Sequence, residues 1–101
     1  MTDHKFVNKK IKIRNSQGLH ARPASLFVRI ANKYESDVNV KKDDETVNGK
    51  SIMGLLTLAA NQGSIIEIEV SGPDADLAMN ELEAFLLNEE EEPRDSKEGT
   101  T

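Results

Sequence analysis

The sequence predicts a two-layer α/β sandwich, in which helices cover one face of a mostly antiparallel sheet of four strands. The first observation is that the spacing of apolar residues changes repeatedly between a period of two, typical of strands, and the wider spacing of amphipathic helices. The second is that these segments follow one another in the order β-α-β-β-α-β-α with short connections. Strands that alternate apolar with polar residues belong to a sheet with one wet face and one covered face.

Three strands and one helix are predicted in the first half of the domain. Residues 6–14 and 38–40 alternate apolar and polar side chains, and residues 46–47 form the stub of a third strand after a turn at 42–44. Residues 21–34 have helical spacing instead. The apolar stripe of this helix comprises Ala24, Phe27, Val28, Ile30, Ala31 and Tyr34.

A short helix, a strand and a longer helix follow. The short helix is predicted over residues 51–58 with Ser51 as its N-cap, because a Ser hydroxyl can accept a hydrogen bond from an early helix N–H. Residues 66–70 alternate most clearly of all and predict a strand, which Gly-Pro-Asp at 72–74 ends before capping the last helix. The apolar stripe of that helix comprises Ala75, Ala78, Met79, Leu82, Phe85 and Leu86.

Composition limits the possible functions. A chain of 101 residues, 37% of them hydrophobic, builds one domain with a small core. The absence of Cys excludes disulfides, a thiol nucleophile and thiolate metal sites. Because no apolar run approaches the ~18 residues of a membrane span and no secretory signal precedes the domain, we expect no membrane insertion and a cytoplasmic protein.

The net charge of −5 is unevenly divided. Residues 1–88, the predicted single domain, hold 11 Lys/Arg against 12 Asp/Glu, whereas residues 89–101 hold 2 against 6. This acidic tail contains no large apolar side chain, so we predict that it is disordered. A nearly neutral domain lacks the basic field of a general nucleic-acid binder, so no nucleic-acid partner is expected.

Residues 18–24, Gly-Leu-His-Ala-Arg-Pro-Ala, carry the most distinctive chemistry. Pro23 suits a first helical turn, which places His20 at or next to the N-cap. There the positive end of the helix dipole favours a neutral imidazole and stabilises an anion, to which Arg22 adds a permanent charge. The segment therefore suits a histidine that accepts and releases phosphate. A surface histidine at a helix start is more often only a cap, so spacing alone leaves both interpretations open.

The other polar candidates carry weaker signals. Ser51 is an ordinary N-cap or a phosphorylation site, since a phosphate there would add surface charge without unfolding the helix. His4 and His20 have no third ligand, and the acidic turn at 43–45 lacks calcium-loop spacing, so no metal is predicted. No glycine-rich nucleotide loop is present, so we expect no cofactor and no direct use of ATP.

The motif around His20 and the Lys-Ser-Ile-Met-Gly motif around Ser51, 31 residues later, together resemble the histidine-containing phosphocarrier proteins (HPr) of the bacterial phosphoenolpyruvate:sugar phosphotransferase system. The similarity covers about residues 5–88. It implies an α+β fold, a two-layer open-faced β-sandwich of order βαββαβα with three helices on one face of a four-stranded antiparallel sheet.

The resemblance also implies a function. His20 would take a phosphoryl group on Nδ1 from phosphorylated enzyme I and pass it to the A component of a sugar permease or a regulatory equivalent. Arg22 would hold the phosphate, and an HPr kinase/phosphorylase would modify Ser51. A carrier of this kind has a phosphohistidine intermediate but is not a stand-alone enzyme. The implied partner-binding residues are Leu19, Ala21, Ile52, Met53 and Leu56.

Two other functions remain open. A regulatory binding module controlled by Ser51 phosphorylation would have a transcription regulator among its partners; His20 beside Arg22 and Pro23 favours the carrier instead. A stand-alone enzyme needs a second acid/base near His20, and the motif contains no carboxylate. We expect a monomer, because several partners must reach one face. We also expect both N-caps to face that surface, so that phosphate on Ser51 repels acidic groups approaching His20.

Overall fold

The computed structural model describes residues 5–14 and 16–88. The predictions made for His4 and for the tail at 89–101 lie outside the described residues. The elements follow the predicted order βαββαβα. They are β1 (Lys5–Lys12), α1 (Ala21–Ala31), β2 (Asp37–Lys42), β3 (Glu45–Asn48), α2 (Ile52–Leu58), β4 (Ile65–Gly72) and α3 (Ala75–Asn88).

The first helix is shorter than its apolar stripe predicts. After Ala31 the backbone tightens, because the N–H of Lys33 bonds to the carbonyl of Ile30 and that of Tyr34 to the carbonyl of Ala31, at 3.0 and 3.2 Å. Such three-residue bonds end an α-helix in a tighter turn. Tyr34 still packs against the core, which explains why the sequence pattern continues past the helix end.

The sheet has the strand order β1-β4-β2-β3, and every pairing is antiparallel. The register places Ile68 opposite Lys9 on one side and Val40 on the other, while Val70 lies between Val7 and Val38. The alternate residues of β4 that face the helices are fully buried. This confirms the α+β open-faced sandwich, with the apolar side of the sheet beneath the helices.

The other face of the sheet is polar, as the alternation predicts. Glu67 accepts a hydrogen bond from the amide of Asn8 at 2.7 Å, and Glu69 lies 3.4 Å from the Lys41 ammonium. Among the described residues, no helix is long and apolar enough to cross a membrane.

Two ion pairs show how the last helix lies on the sheet. Lys5 pairs with Asp76 and Lys9 with Glu83, each at 2.7 Å. The pair farther along β1 is also the pair farther along α3. The helix α3 therefore runs in the same direction as β1 and ends near the C-terminal end of that strand.

The predicted cap of the last helix has a second role. Asp74 begins α3 through its carbonyl, which accepts the N–H of Ala78 at 3.0 Å. Its carboxylate, however, accepts hydrogen bonds from the backbone N–H groups of Glu35 and Ser36, both at 3.0 Å. The Ser36 hydroxyl also donates to this carboxylate. That hydrogen bond, which contributes most, and the two from the backbone hold the pKa of Asp74 below its ordinary value.

Candidate functional site

The loop before α1 is held against the segment that follows α2. Leu19 donates its backbone N–H to the carbonyl of Ala60 at 2.9 Å. Gly18 has a φ of +65°, and a Cβ at that position would lie 2.4 Å from the same carbonyl oxygen. Only glycine fits this close approach, so Gly18 and Ala60 fix the position from which α1 starts.

Leu19 is not part of the exposed surface, which corrects its assignment as a partner-binding residue. Its side chain is only 2% exposed and belongs to the hydrophobic core. The neighbouring His20 faces solvent, so Leu19 turns inward and anchors the loop from below. Its buried side chain belongs to the core beneath the loop that carries His20.

His20 is the N-cap of α1, as predicted. Its backbone is extended, with φ −85° and ψ −166°, and its carbonyl accepts the N–H of Ala24 at 2.8 Å. Its imidazole is exposed and makes no side-chain cap hydrogen bond. Pro23, which has no N–H to satisfy, is buried in the first turn. The ring therefore stands at the start of the helix without being used to cap it.

The surroundings of His20 favour a negatively charged group. The first turn of α1 contains no acidic residue, while Arg22 is exposed in that turn. The partial positive charge of a helix N-terminus acts on groups within the first turn. Across residues 5–14 and 16–88, no cluster of His, Cys, Asp or Glu could hold a metal ion. The site is suited to phosphate bound covalently to the ring.

Ser51 is the N-cap of α2, which confirms the local prediction. Its hydroxyl accepts the N–H of Gly54 at 3.0 Å, and its carbonyl accepts that of Leu55 at 3.1 Å. A Cβ at Gly54 would lie 3.3 Å from the Ser51 hydroxyl and 3.2 Å from the side chain of Val47. Glycine at this position therefore leaves space beside a half-buried hydroxyl.

The segment before Ser51 is fixed by its neighbour Lys50. The Lys50 ammonium donates to the carbonyl of Tyr34 at 2.8 Å, just beyond the end of α1. The Tyr34 hydroxyl donates to Glu81, and Lys33 pairs with the same carboxylate at 2.7 Å. The hydrogen bond from Lys33, which contributes most, and the one from Tyr34 lower the pKa of Glu81. The hydrogen bond to Glu81 raises the pKa of Tyr34. Sequence reasoning missed this support, because no local pattern pairs Lys50 with Tyr34.

The two N-caps lie at opposite ends of the α1–α2 pair. Lys50 places the start of α2 near the end of α1, whereas Leu19 places the start of α1 near the segment that follows α2. Since seven helical residues rise about 10 Å, a charge on Ser51 is separated from His20 by at least the length of α2. The expected repulsion therefore cannot act at close range on the imidazole.

The exposed side of α2 is apolar. Met53 is 76% exposed, Ile52 41% and Leu56 40%, whereas Leu55 and Leu58 are buried. We call Ile52, Met53 and Leu56 the α2 surface. This surface extends from Ser51 toward the end of α2, near the segment that holds the His20 loop.

Comparisons with known proteins support the phosphate interpretation. The family model "PTS HPr component phosphorylation site" matches residues 7–88. The HPr-like protein Crh of Halalkalibacterium halodurans is 45% identical over 84 residues, 83% of this chain and 100% of that protein. The phosphocarrier protein HPr of Treponema pallidum is 41% identical over 87 residues, 86% and 99% of the two chains.

Solved structures agree with the fold. The crystal structure of a phosphocarrier protein HPr from Bacillus anthracis matches with a TM-score of 0.78 at 44% identity, covering 80% of this chain and 96% of that one. An HPr dimer from Thermoanaerobacter tengcongensis matches with a TM-score of 0.67 at 42% identity, covering 78% and 91%. The residues that the family model matches, 7–88, include both motifs of this chain, around His20 and around Ser51.

Proposed function

Because this chain belongs to the HPr family of phosphocarrier proteins, we propose that His20 accepts a phosphoryl group from phosphorylated enzyme I and passes it to the A component of a sugar permease or of a regulatory phosphotransferase system. One observation carries the proposal most directly. The imidazole of His20 is exposed at the start of α1 and is not used as a cap, so a second protein can reach it.

The proposed transfer is a nucleophilic substitution at phosphorus. The lone pair of the neutral His20 Nδ1 attacks the phosphorus atom, and the bond between phosphorus and the donor atom of enzyme I breaks, leaving its electron pair on the donor. The proton on Nε2 stays, so the ring gains a positive charge next to the phosphoryl dianion. The acceptor's nucleophile reverses these steps when it attacks the same phosphorus and restores the neutral imidazole.

The residues around His20 would stabilise the phosphorylated state. The dipole of the first turn of α1 favours the dianion, and the Arg22 guanidinium can bind two of its oxygens. The start of α1 is held in place before phosphate arrives, since Gly18 and Leu19 fix the loop against Ala60. Preorganised donors need no rearrangement during the transfer.

Enzyme I and the A components would dock on the α2 surface and on Ala21. Ala21 is exposed beside His20, and a surface containing Met53 adapts to several partners in turn. HPr kinase/phosphorylase would phosphorylate Ser51. The new charge of about −1.5 to −2 would stand next to Ile52 and Met53 and would act on a partner seated there. This replaces direct repulsion at His20, because screening at physiological salt acts over about 8 Å.

A second candidate is a regulatory binding module controlled by Ser51 phosphorylation, with a transcription regulator as partner. Relatives named HPr-like protein Crh, at 45% and 43% identity, favour it. The exposed His20 beside Arg22 favours the carrier. The two functions make different demands, since only the carrier needs the imidazole.

The test is transfer of labelled phosphate from phosphoenolpyruvate by purified enzyme I. Acid-labile, alkali-stable label should appear on the wild type and on a His4→Ala control, and it should be absent from His20→Ala. Failure of the wild type to take label from several enzyme I preparations would overturn the carrier function. Labelling of Ser51 by ATP and HPr kinase/phosphorylase would then support the regulatory module.

The oligomeric state and the compartment remain predictions. We propose a cytoplasmic monomer, because one small surface must serve enzyme I, the A components and the kinase in turn. Since dimers are known among similar HPr and Crh structures, light scattering at several protein concentrations is the direct test.

A further inference from the structure

Met53 is the most exposed large apolar residue in the described ranges 5–14 and 16–88. It is 76% exposed, whereas Met79, on α3, is 3% exposed and belongs to the core. The two thioethers therefore differ in their access to small reagents in solution. A reagent reaches the sulfur of Met53 without any opening of the fold, while the sulfur of Met79 is covered by its neighbours.

The backbone at Met53 is held by groups other than its own side chain. The Ser51 hydroxyl caps α2, and Leu55 and Leu58 anchor the helix in the core. The Thr57 hydroxyl donates to the Met53 carbonyl at 2.6 Å, a bond in which the thioether takes no part. A chemical change at the Met53 sulfur should therefore leave α2 in place.

The surroundings of Met53 are apolar and uncharged. Ile52 and Leu56 are exposed beside it and complete the α2 surface. Residues 51–66 contain no Asp, Glu, Lys or Arg. An oxygen atom added to the Met53 sulfur would place a strong hydrogen-bond acceptor within this apolar surface, and so would change its character more than it would change a polar one.

We propose that Met53 is a site of reversible oxidation by peroxides, and that its sulfoxide weakens docking on the α2 surface. The sulfur lone pair attacks the terminal oxygen of a hydroperoxide, so that an S–O bond forms while the O–O bond breaks. The sulfur loses two electrons to the peroxide. The proton of the transferred oxygen moves to the departing oxygen, which leaves as water or an alcohol.

The reverse reaction needs a methionine sulfoxide reductase. Two thiols supply the two electrons and become a disulfide, and the oxygen leaves the sulfur as water. Because Met53 is exposed on a helix that is anchored elsewhere, a reductase can reach the sulfoxide in the folded chain. Oxidation at this position is therefore a reversible modification and not damage that unfolds the protein.

Oxidation changes what the α2 surface can bind. A thioether adapts to apolar groups of several shapes, whereas a sulfoxide needs a hydrogen-bond donor wherever it is buried. A partner that covers Met53 with apolar side chains leaves the sulfoxide oxygen without a donor. This consequence rests on the proposed function, in which enzyme I docks on the α2 surface, whereas the oxidation itself does not.

The first test measures sulfoxide formation in the folded full chain at several concentrations of hydrogen peroxide. Cleavage after Glu separates the three methionines of the chain. The fragments that contain them are 46–67 for Met53, 70–81 for Met79 and 1–35 for Met1. Mass spectrometry should show Met53 oxidised many-fold faster than Met79, and the two rates should converge in urea. Equal rates in the folded chain would overturn the proposal.

The fold and the reversibility are checked on the same sample. Selective oxidation of Met53 should change the Tm little, because changes to an exposed side chain have small effects on stability. Treatment with a methionine sulfoxide reductase and a thiol should return the fragment 46–67 to its original mass. Sulfoxide that persists after this treatment, or a large fall in Tm on oxidation of Met53 alone, would overturn the reversible modification.

The second test is calorimetric titration of the oxidised chain against enzyme I, after the peroxide has been removed. Oxidation should weaken binding of the wild type and of Met79→Leu by about tenfold, and the reductase should restore it. Met53→Leu is compared only with itself before and after the same treatment, and its affinity should not change. A loss of affinity in oxidised Met53→Leu would assign the effect to another residue and overturn the docking consequence.

The two tests separate this proposal from the proposed function. If neither the reduced nor the oxidised chain binds enzyme I or accepts phosphate, the carrier function fails, and the mass measurements still decide whether Met53 is the oxidised site. If enzyme I binds both forms equally well, the carrier function stands and the effect of the sulfoxide on docking is overturned.

Discussion

The hydroxyl of Ser36 donates a hydrogen bond of 2.6 Å to Asp74 Oδ1, and the backbone N–H of Asp74 donates back to that hydroxyl at 3.2 Å. The two residues are 38 positions apart. Ser36 is 1% exposed, and Gly72 approaches it so closely that a Cβ there would lie 2.5 Å from the hydroxyl oxygen. This reciprocal pair joins the loop after α1 to the start of α3.

Acid should destabilise the protein through this pair. Since the pKa of Asp74 is lower in the folded chain than in the unfolded chain, its ionised form favours folding above the unfolded pKa of about 3.9, and this contribution is lost as the pH falls through the folded pKa. Asp74→Asn should lower the Tm at pH 7 and flatten its decline below pH 4. Asp76→Asn, which removes an exposed ion pair with Lys5, should change neither much. An unchanged acid limb in Asp74→Asn would contradict this account.

A glycine at position 59 should stabilise the fold. Ala59 ends α2 in the left-handed conformation, with φ +55° and ψ +47°, which a Cβ disfavours. We expect Ala59→Gly to raise the free energy of unfolding by about 0.5–1 kcal/mol. Ala84→Gly, on the exposed side of α3, should lower it by about 1 kcal/mol. Urea denaturation measures both, and a loss of stability in Ala59→Gly would count against the conformation of this cap.

Alanine substitutions at two glycines with positive φ distinguish the energetic cost of a close contact from that of backbone strain. Gly18→Ala forces a Cβ to 2.4 Å from the Ala60 carbonyl, whereas Gly63→Ala meets no atom within 4 Å. Gly63→Ala should cost about 1 kcal/mol from strain alone. Gly18→Ala should cost roughly 1–3 kcal/mol more because the neighbouring backbone must move. It should also slow phosphorylation of His20, and equal stabilities for the two variants would refute the close approach.

Truncation of Leu19 should lower stability, whereas truncation of Met53 should weaken partner binding. Leu19→Ala empties a core position and should lower the free energy of unfolding by about 2–5 kcal/mol. Met53→Ala should change it by less than about 0.5 kcal/mol, since the side chain is 76% exposed. Only Met53→Ala should weaken binding to enzyme I while the fold stays intact. Calorimetric titration against enzyme I checks this, and undiminished affinity would remove Met53 from the proposed docking surface.

Substitutions at Ser51 should separate its structural role from its regulatory one. Ser51→Ala loses the acceptor for the Gly54 N–H and should cost about 1 kcal/mol of stability. Ser51→Asp keeps an acceptor and should change stability little, but it should slow phosphorylation of His20 by enzyme I at low salt. Asn39→Asp adds the same charge on the open face of the sheet and should leave the rate unchanged. Equal rates in Ser51→Asp and the wild type would contradict regulation through the α2 surface.

Local patterns predicted the elements and caps well. The alternation over 66–70 gave the central strand β4, and Ser51 was identified as an N-cap from its position alone. His20 followed from Pro23, because a proline in the first turn limits where the helix can start. These features depend on backbone chemistry within a few residues, which a sequence displays directly.

Long-range relationships could not be predicted in the same way. The family resemblance implies a partner-binding role for Leu19, whereas the structure buries its side chain, next to the contact between its backbone N–H and the Ala60 carbonyl. The positions of the two N-caps depend on how α1 and α2 pack. One hydrogen bond, from the Lys50 ammonium to the Tyr34 carbonyl, holds the start of α2 near the end of α1. Such pairings depend on the register of whole elements, and no motif specifies them.

The order of the strands has a consequence for biosynthesis. Because β4 lies between β1 and β2, the first strand has no partner until residues 65–72 have been translated. At roughly 5–20 residues per second, translation takes several seconds to proceed from Ile13 to the end of β4. During that time Ile11 and Ile13 are exposed in the nascent chain. Co-translational folding of this protein is therefore delayed until the ribosome has released most of the chain, and a nascent-chain chaperone has that interval in which to bind.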